Sequence, residues 1–549
     1  MNPMQHIRVD GFGSAGIVRD IAYSQRTMQM LHNATNVRIQ DGQLSSIPAN
    51  QNAQDLPKAP VFVHPFFAYD ESGGHVIVYE DNTVSYWDSG GNEHDITPSP
   101  VPSPNANEYW YATQVNDIFV LTNGIDQPWQ ITQAQLQSAG TLETMPNWQS
   151  NYRAKVLEPL KGYLVAADLT IDGVYRKGLI KWSHPLAPGD EAFLWDHTDP
   201  TILAGENELS VKGRDIRALQ PLRDQLMIYL DQEVWRMTEV GGGYVFGFSP
   251  VFKDDGIVGA HAWCEADGKA IVCGFRDIYI HDGHNRQSLS DAKIGRWWYR
   301  YARIDSSIQV CYYPHRQEVF ILYRTNDDYR EFNAALIYNI QSNAFTVMEL
   351  PGTDGLGGCS RMYMGLSFGA EINATPDIWS GETTGTWDED AAAEPWNKPI
   401  VDFDQKLLPF MISRGSQEIL LMDQASGVPH QAGSIYVDTI MQPMWDVFPT
   451  AGDKIKYLSR IYPRMQGIGV MAWSIGTSQT PADSVEWKPW RDFYIGPDQD
   501  NDIPLDRAVD VRGAGHYLSF RLRMGTTRWA AWTLSGLDLE LYLQQAGRR

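Results

Sequence analysis

An apolar run of strand length, a polar turn and a second alternating run recur along this chain. The unit is clearest at residues 75–88, 225–238 and 269–282, as in Leu226-Met227-Ile228-Tyr229-Leu230, the turn Asp231-Gln232, and then Val234-Trp235-Arg236-Met237. Weaker copies open near Asn116, Lys161 and Gln317. This is how a β-hairpin lying over a core is written. The starts at 75, 116, 161, 225, 269 and 317 lie 41, 45, 64, 44 and 48 residues apart. A strand-built period of about 40 to 50 residues marks propeller blades. The pattern predicts an all-β fold containing a β-propeller of roughly six blades.

Outside the repeats the pattern changes. Residues 1–60 are polar and punctuated by glycine, and predict an N-terminal arm that wraps on a neighbouring domain or subunit. Residues 61–430 hold the propeller with loop insertions and a linker, the period being lost after about Glu349. The long interval is filled by extra sequence between Leu169 and Ser210, which contains Trp182 and Trp195. Such an insertion is tolerated on a surface loop, and loops of this kind carry contacts. From 431 to 549 alternation resumes, as in Tyr517-Leu518-Ser519-Phe520-Arg521-Leu522, and predicts a β-sandwich-like C-terminal platform domain.

A chain of 549 residues needs more than one core. Its 12% aromatic and 20% charged residues exclude disorder and suit pleated structure. The net charge of −23 argues against a nucleic-acid grip, which needs a basic face. It fits equally a chain that never meets DNA and a surface whose acidic walls let a polyanion slide by even repulsion. Cys264, Cys273, Cys311 and Cys359 have no ligand spacing and are expected to be small buried hydrophobes. The N-terminus lacks the regions of a signal peptide and no apolar run reaches about 18 residues. The expectation is a chain folded in a cytoplasm, with no membrane span.

Candidate chemistry is thin. Gly11, Gly13 and Gly16 match the glycines of a dinucleotide turn, but no parallel βαβ pattern follows, so a flexible turn is expected. Asp498, Asp500 and Asp502 alternate like calcium ligands. Ile503 and Val509 stand where that loop needs glycine and glutamate, so an acidic hairpin tip is the stronger reading. Trp297-Trp298-Tyr299, flanked by Arg296 and Arg300, is read as core packing before sugar-binding platform. No residue is nominated as catalytic and no cofactor is expected.

Several segments, in order along nearly the whole chain, resemble the tail nozzle proteins of short-tailed bacteriophages, the tail tubular protein B family. They are residues 15–21, residues 31–44 (Leu31-His32-Asn33-Ala34-Thr35-Asn36-Val37-Arg38 onward), residues 115–128, Ile180-Lys181-Trp182-Ser183 with Pro188-Gly189 and Trp195, residues 532–540, and Gly547-Arg548-Arg549. The chain departs from the family at Ser45-Ser46-Ile47-Pro48 and at Ala514. The resemblance implies a structural, non-enzymatic virion protein of the tail, assembled in the host cytoplasm. It implies a homohexameric ring below the portal-bound adaptor, with tail fibres or other distal tail proteins outside. Genomic DNA would pass through its acidic lumen without sequence-specific binding, for DNA retention and ejection. Trp182, Trp195, Arg548 and Arg549 become interaction candidates. The alternatives are a propeller enzyme degrading glycans through paired carboxylates at the propeller mouth, or a carbohydrate-binding module.

Overall fold

The computed structural model describes residues 4–544, apart from 49, 69–72, 105–108, 139, 188, 212–213, 242–243, 254, 326–328, 351, 353–357, 367, 369–406, 424–434, 445–453, 481–483, 497–506 and 525–529. Apolar runs bounded by turn residues give antiparallel sheets of four or five strands, six of them self-contained. Five follow one another along the chain, at residues 60–95, 111–144, 152–208, 216–253 and 263–288, and are called the first to fifth blades. The closing blade pairs Arg361–Gly365, Leu408–Ser413 and Glu418–Leu421 with Gln51–Asp55 from the N-terminal side. A further four-stranded meander, at residues 309–349, continues the series between the fifth and closing blades. The expected β-propeller is therefore present. Gln51–Asp55, placed in the arm by the sequence, instead completes its last sheet. The long interval is an insertion in the third blade, which carries a fifth strand and a loop before Gly205–Glu208.

The C-terminal unit is built around Ile455–Ser478, whose two halves pair with different partners. Its first half lies between Val509–Gly515 and Ala530–Gln544. Its second half lies between Arg491–Gly496 and Tyr517–Met524. One strand thus serves two sheets, which close on Leu458, Ile461, Trp473, Phe493, Phe520, Leu534 and Leu539. These pairings form the all-β C-terminal unit expected.

The arm stitches the two bodies together. Gln5–Asp10 pairs with the C-terminal strand from Gly536 to Leu541. Asn33–Thr35 pairs antiparallel with Tyr436–Asp438 of the sandwich, and Thr35 also pairs parallel with Val347 of the meander. Phe12 enters the sandwich core, 6.3 Å from Trp473 and 6.4 Å from Phe520. The glycine-rich turn before this is not a nucleotide loop. Gly16 has φ +68° and a Cβ there would lie 2.6 Å from the Phe345 carbonyl oxygen, so only glycine lets the arm approach the meander. An extended strand, Gly16–Ile17, follows it where a dinucleotide site needs a helix.

Beneath the arm, Arg38 meets Glu318 and Asp423, each at 2.7 Å, with all three side chains no more than 3% exposed. Arg316 also holds Asp423, at 2.8 Å. Burial of these carboxylates is offset by the shared cations, tying arm, meander and closing blade into one ion cluster. The four cysteines are free and buried, as expected. Among the described residues no helix is long and apolar enough to cross a membrane.

Candidate functional site

Propellers present chemistry where their first strands meet, so the axis is the first place to look. Side chains from several blades converge there. His261, just before the fifth blade, stacks on Tyr111 of the second blade at 5.1 Å and lies 6.2 Å from Phe62 of the first. Its Nε2 lies 3.1 Å from the Trp110 carbonyl oxygen, an N–H···O contact in the tautomer protonated there. Tyr109 donates to the Lys155 carbonyl at 2.9 Å. Arg361, opening the closing blade, sits 4.3 Å over the Phe62 ring. Gln309 of the meander accepts a bond from the Met362 N–H at 3.2 Å.

Glu158 of the third blade accepts hydrogen bonds from Tyr111 Oη and from Thr113 Oγ1. Burial pushes its carboxyl up to about 8, so it is largely protonated at neutral pH. Burial lowers His64 to about 4, with the Arg361 charge adding to the effect, and sends His261 well below its ordinary value. Both imidazoles are neutral. The axis is thus a plug of rings and neutral acids and bases around one guanidinium, too filled to pass a polymer.

The mouth of the propeller carries more carboxylates, each beside a cation. Asp168 lies 3.6 Å from Lys155 Nζ, and burial raises its carboxyl. Asp215 lies 3.2 Å from Lys177 Nζ, and Asp231 is held by Arg217 Nε at 2.5 Å. A cavity of about 240 Å³ opens beside Arg217, Asp231, Asp255, Phe275 and Arg276. Each of these carboxylates is already engaged by a cation, which leaves it poorly placed to exchange a proton with a substrate.

The second place is the open face of the sandwich. Arg521 lies between the rings of Trp487 and Trp490, at 4.2 and 4.3 Å, and Arg523 covers Trp490 at 4.3 Å. The short strand Glu486–Trp487 and the turn to Arg491 are folded over by the Lys488 N–H donating to the Ile475 carbonyl and by Ser474 Oγ donating to the Lys488 carbonyl. Stacking fixes the faces of both guanidinium groups, and Arg521 is further held by a hydrogen bond with Tyr436. Arginine and tryptophan together are the composition of an interface anchor.

The sequence candidates fall elsewhere. Trp182 is buried, donates to the Leu203 carbonyl at 2.9 Å and packs on Phe246 at 5.4 Å. Trp195 is fully buried against Trp148 at 4.7 Å. In this chain both hold the third-blade insertion together, because rings that large gain more from burial than from exposure on a loop. Asp498, Asp500, Asp502, Arg548 and Arg549 lie outside the described residues. Among the described residues no His, Cys, Asp and Glu group could hold a metal ion. Trp298 is buried core, and Trp297 lies 4.6 Å under the arm's own Arg19. The Arg521 stack was missed because its members are far apart in sequence. Its one local signal was Trp487-Lys488-Pro489-Trp490, two indoles bracketing a proline.

No family model matches the sequence, and no curated protein matches it. Among solved structures, Raptor from Chaetomium thermophilum aligns with a TM-score of 0.39 at 9% identity, over 69% of this chain and 30% of that one. BBS1N, solved in complex with ARL6DN, aligns with a TM-score of 0.37 at 11% identity, over 69% of this chain and 97% of that one. Likenesses at this level carry no argument about function.

Proposed function

We propose that this chain is a structural subunit of a virion tail nozzle. Copies of it, six on the family's pattern, form a ring below the adaptor, hold tail fibres or other distal parts outside, and line an acidic passage for genomic DNA. The observation that carries this is the contrast between a plugged propeller axis and an open Trp487–Arg521–Trp490–Arg523 stack. A passage for duplex DNA has to run between copies, and an arginine–tryptophan stack suits a contact between them. The net charge of −23 and the ordered family-like segments support the same reading. The glycan-degrading and carbohydrate-binding alternatives gain little, since the mouth carboxylates face cations and Trp182 and Trp195 are buried.

Mass photometry of the purified chain, alone and with the matching portal–adaptor assembly, tests this. A six-fold complex is expected. The double variant Arg521→Glu, Arg523→Glu is expected to weaken assembly about tenfold or more, as loss of an interface anchor does. A wild-type chain that stays monomeric in both settings sinks the proposal.

A further inference from the structure

Opposite blades of a propeller touch only at its axis, so the cluster of Phe62, Tyr109, Tyr111, His261 and Arg361, drawn from four blades, fixes where Arg361 sits. Its Nε is shut off from solvent and meets no acceptor. Among the described residues no carboxylate pairs with it. Glu158 is engaged by Tyr111 and Thr113. His64 has a ring nitrogen 2.7 Å from the Pro65 carbonyl oxygen, and His261 bonds the Trp110 carbonyl. A guanidinium packed among rings, with no described anion beside it, is a costly arrangement for a fold. Phe62 occupies its face and leaves the N–H edge available. Arg361, Tyr109, His64 and His261 each keep some exposed surface.

We propose that the propeller axis is a binding site for one small oxyanion, held chiefly by the Arg361 guanidinium. The fork of N–H donors matches the paired oxygens of a phosphate or a carboxylate. An occupant would supply the missing counter-charge and lock the first, second, fifth and closing blades around one point. The inference is independent of the virion reading, since it concerns a site inside a single chain.

Equilibrium dialysis of the full chain against radiolabelled inorganic phosphate at constant ionic strength tests it, with melting curves in the same buffers. The wild type is expected to take up one phosphate per chain, saturably, and to melt at higher temperature as phosphate rises. Arg361→Lys keeps the charge but loses the fork, and is expected to bind about tenfold more weakly. Arg361→Met is expected to lose binding, while Arg276→Met, at an exposed arginine, keeps it. Acetate that displaces the phosphate at similar concentration points to a carboxylate occupant, and phosphate that resists acetate points to a phosphate group. Absence of saturable uptake by the wild type overturns the inference, as does unchanged uptake by Arg361→Lys and Arg361→Met.

Discussion

The fourth blade and the closing blade are both four-stranded antiparallel sheets, and they are assembled in opposite ways. The fourth is written without interruption, from Ile216–Leu222 through Gln225–Leu230 and Glu233–Glu239 to Phe246–Lys253. The closing blade waits for Gln51–Asp55 to meet Glu418–Leu421, with most of the propeller between them in sequence. A contiguous hairpin closes a short loop, whereas ring closure fixes the ends of a long one before any contact repays it. The difference shows in the polar contacts. Around the fourth blade the ion pairs lie part-exposed, as between Arg217 and Asp231 at 36% and 25%. Around the closing blade they are sealed, as among Arg38, Glu318 and Asp423. Long-range closure is where this fold places its buried charges.

That contrast can be broken most directly at Arg38. Arg38→Met leaves Glu318 without its closest cation and is expected to cost about 3–5 kcal/mol in urea unfolding, the range for removing one partner of a buried pair. A loss under about 1 kcal/mol would place the closing cluster on the same footing as a surface pair.

The next effect is acid lability through His75, which joins the first blade to the closing blade. One of its ring nitrogens lies 2.9 Å from the Leu366 carbonyl, the other 3.0 Å from the Tyr363 hydroxyl, and it stacks on Phe368 at 4.0 Å. Burial lowers its pKa from 6.5 to about 3. The unfolded chain therefore takes up this proton first as pH falls. Stability from this group is complete above about pH 6.5 and declines toward about pH 3, by on the order of 3 kcal/mol at pH 4. Urea midpoints at pH 7 and pH 4 are expected to differ less in His75→Gln than in the wild type, and an unchanged difference would remove His75 from the account.

The smallest effect sharpens the other side. Arg217→Met in the fourth blade is expected to change stability by less than about 1 kcal/mol, because solvent screens that pair. Thermal melting of this variant beside Arg38→Met gives the ratio between the two regions.

The same contrast explains what could be read from sequence. All six repeat starts fall within or just before the second strand of a sheet: Gly73–Tyr79, Ile118–Thr122, Tyr163–Ile171, Gln225–Leu230, Lys269–Cys273 and Glu318–Tyr323. Second strands are covered on both faces, so they read as unbroken apolar runs, as in the fully buried Gln225 to Leu230. First strands face the axis with rings and polar groups, and fourth strands are edges. Neither leaves a regular pattern. Gln51–Asp55 is mostly polar and half exposed, and only its partner identifies it as a strand. The axial cluster around Arg361 was equally hidden, since its members come from distant repeats and none carries a motif. The Trp182 and Trp195 candidates show the converse: conspicuous residues in a loop, spent on holding that loop to its own blade.

The stitching by the arm has a consequence for biosynthesis. Gln5 pairs with Leu541 and Asp10 with Gly536, so the arm finds partners that are made 526 to 536 residues later. At roughly 5–20 residues per second of synthesis, that wait is on the order of half a minute to two minutes. During it, the fourth and fifth blades are free to form on the ribosome, while Phe12, Leu31 and Leu44 stay uncovered until the sandwich emerges to receive them.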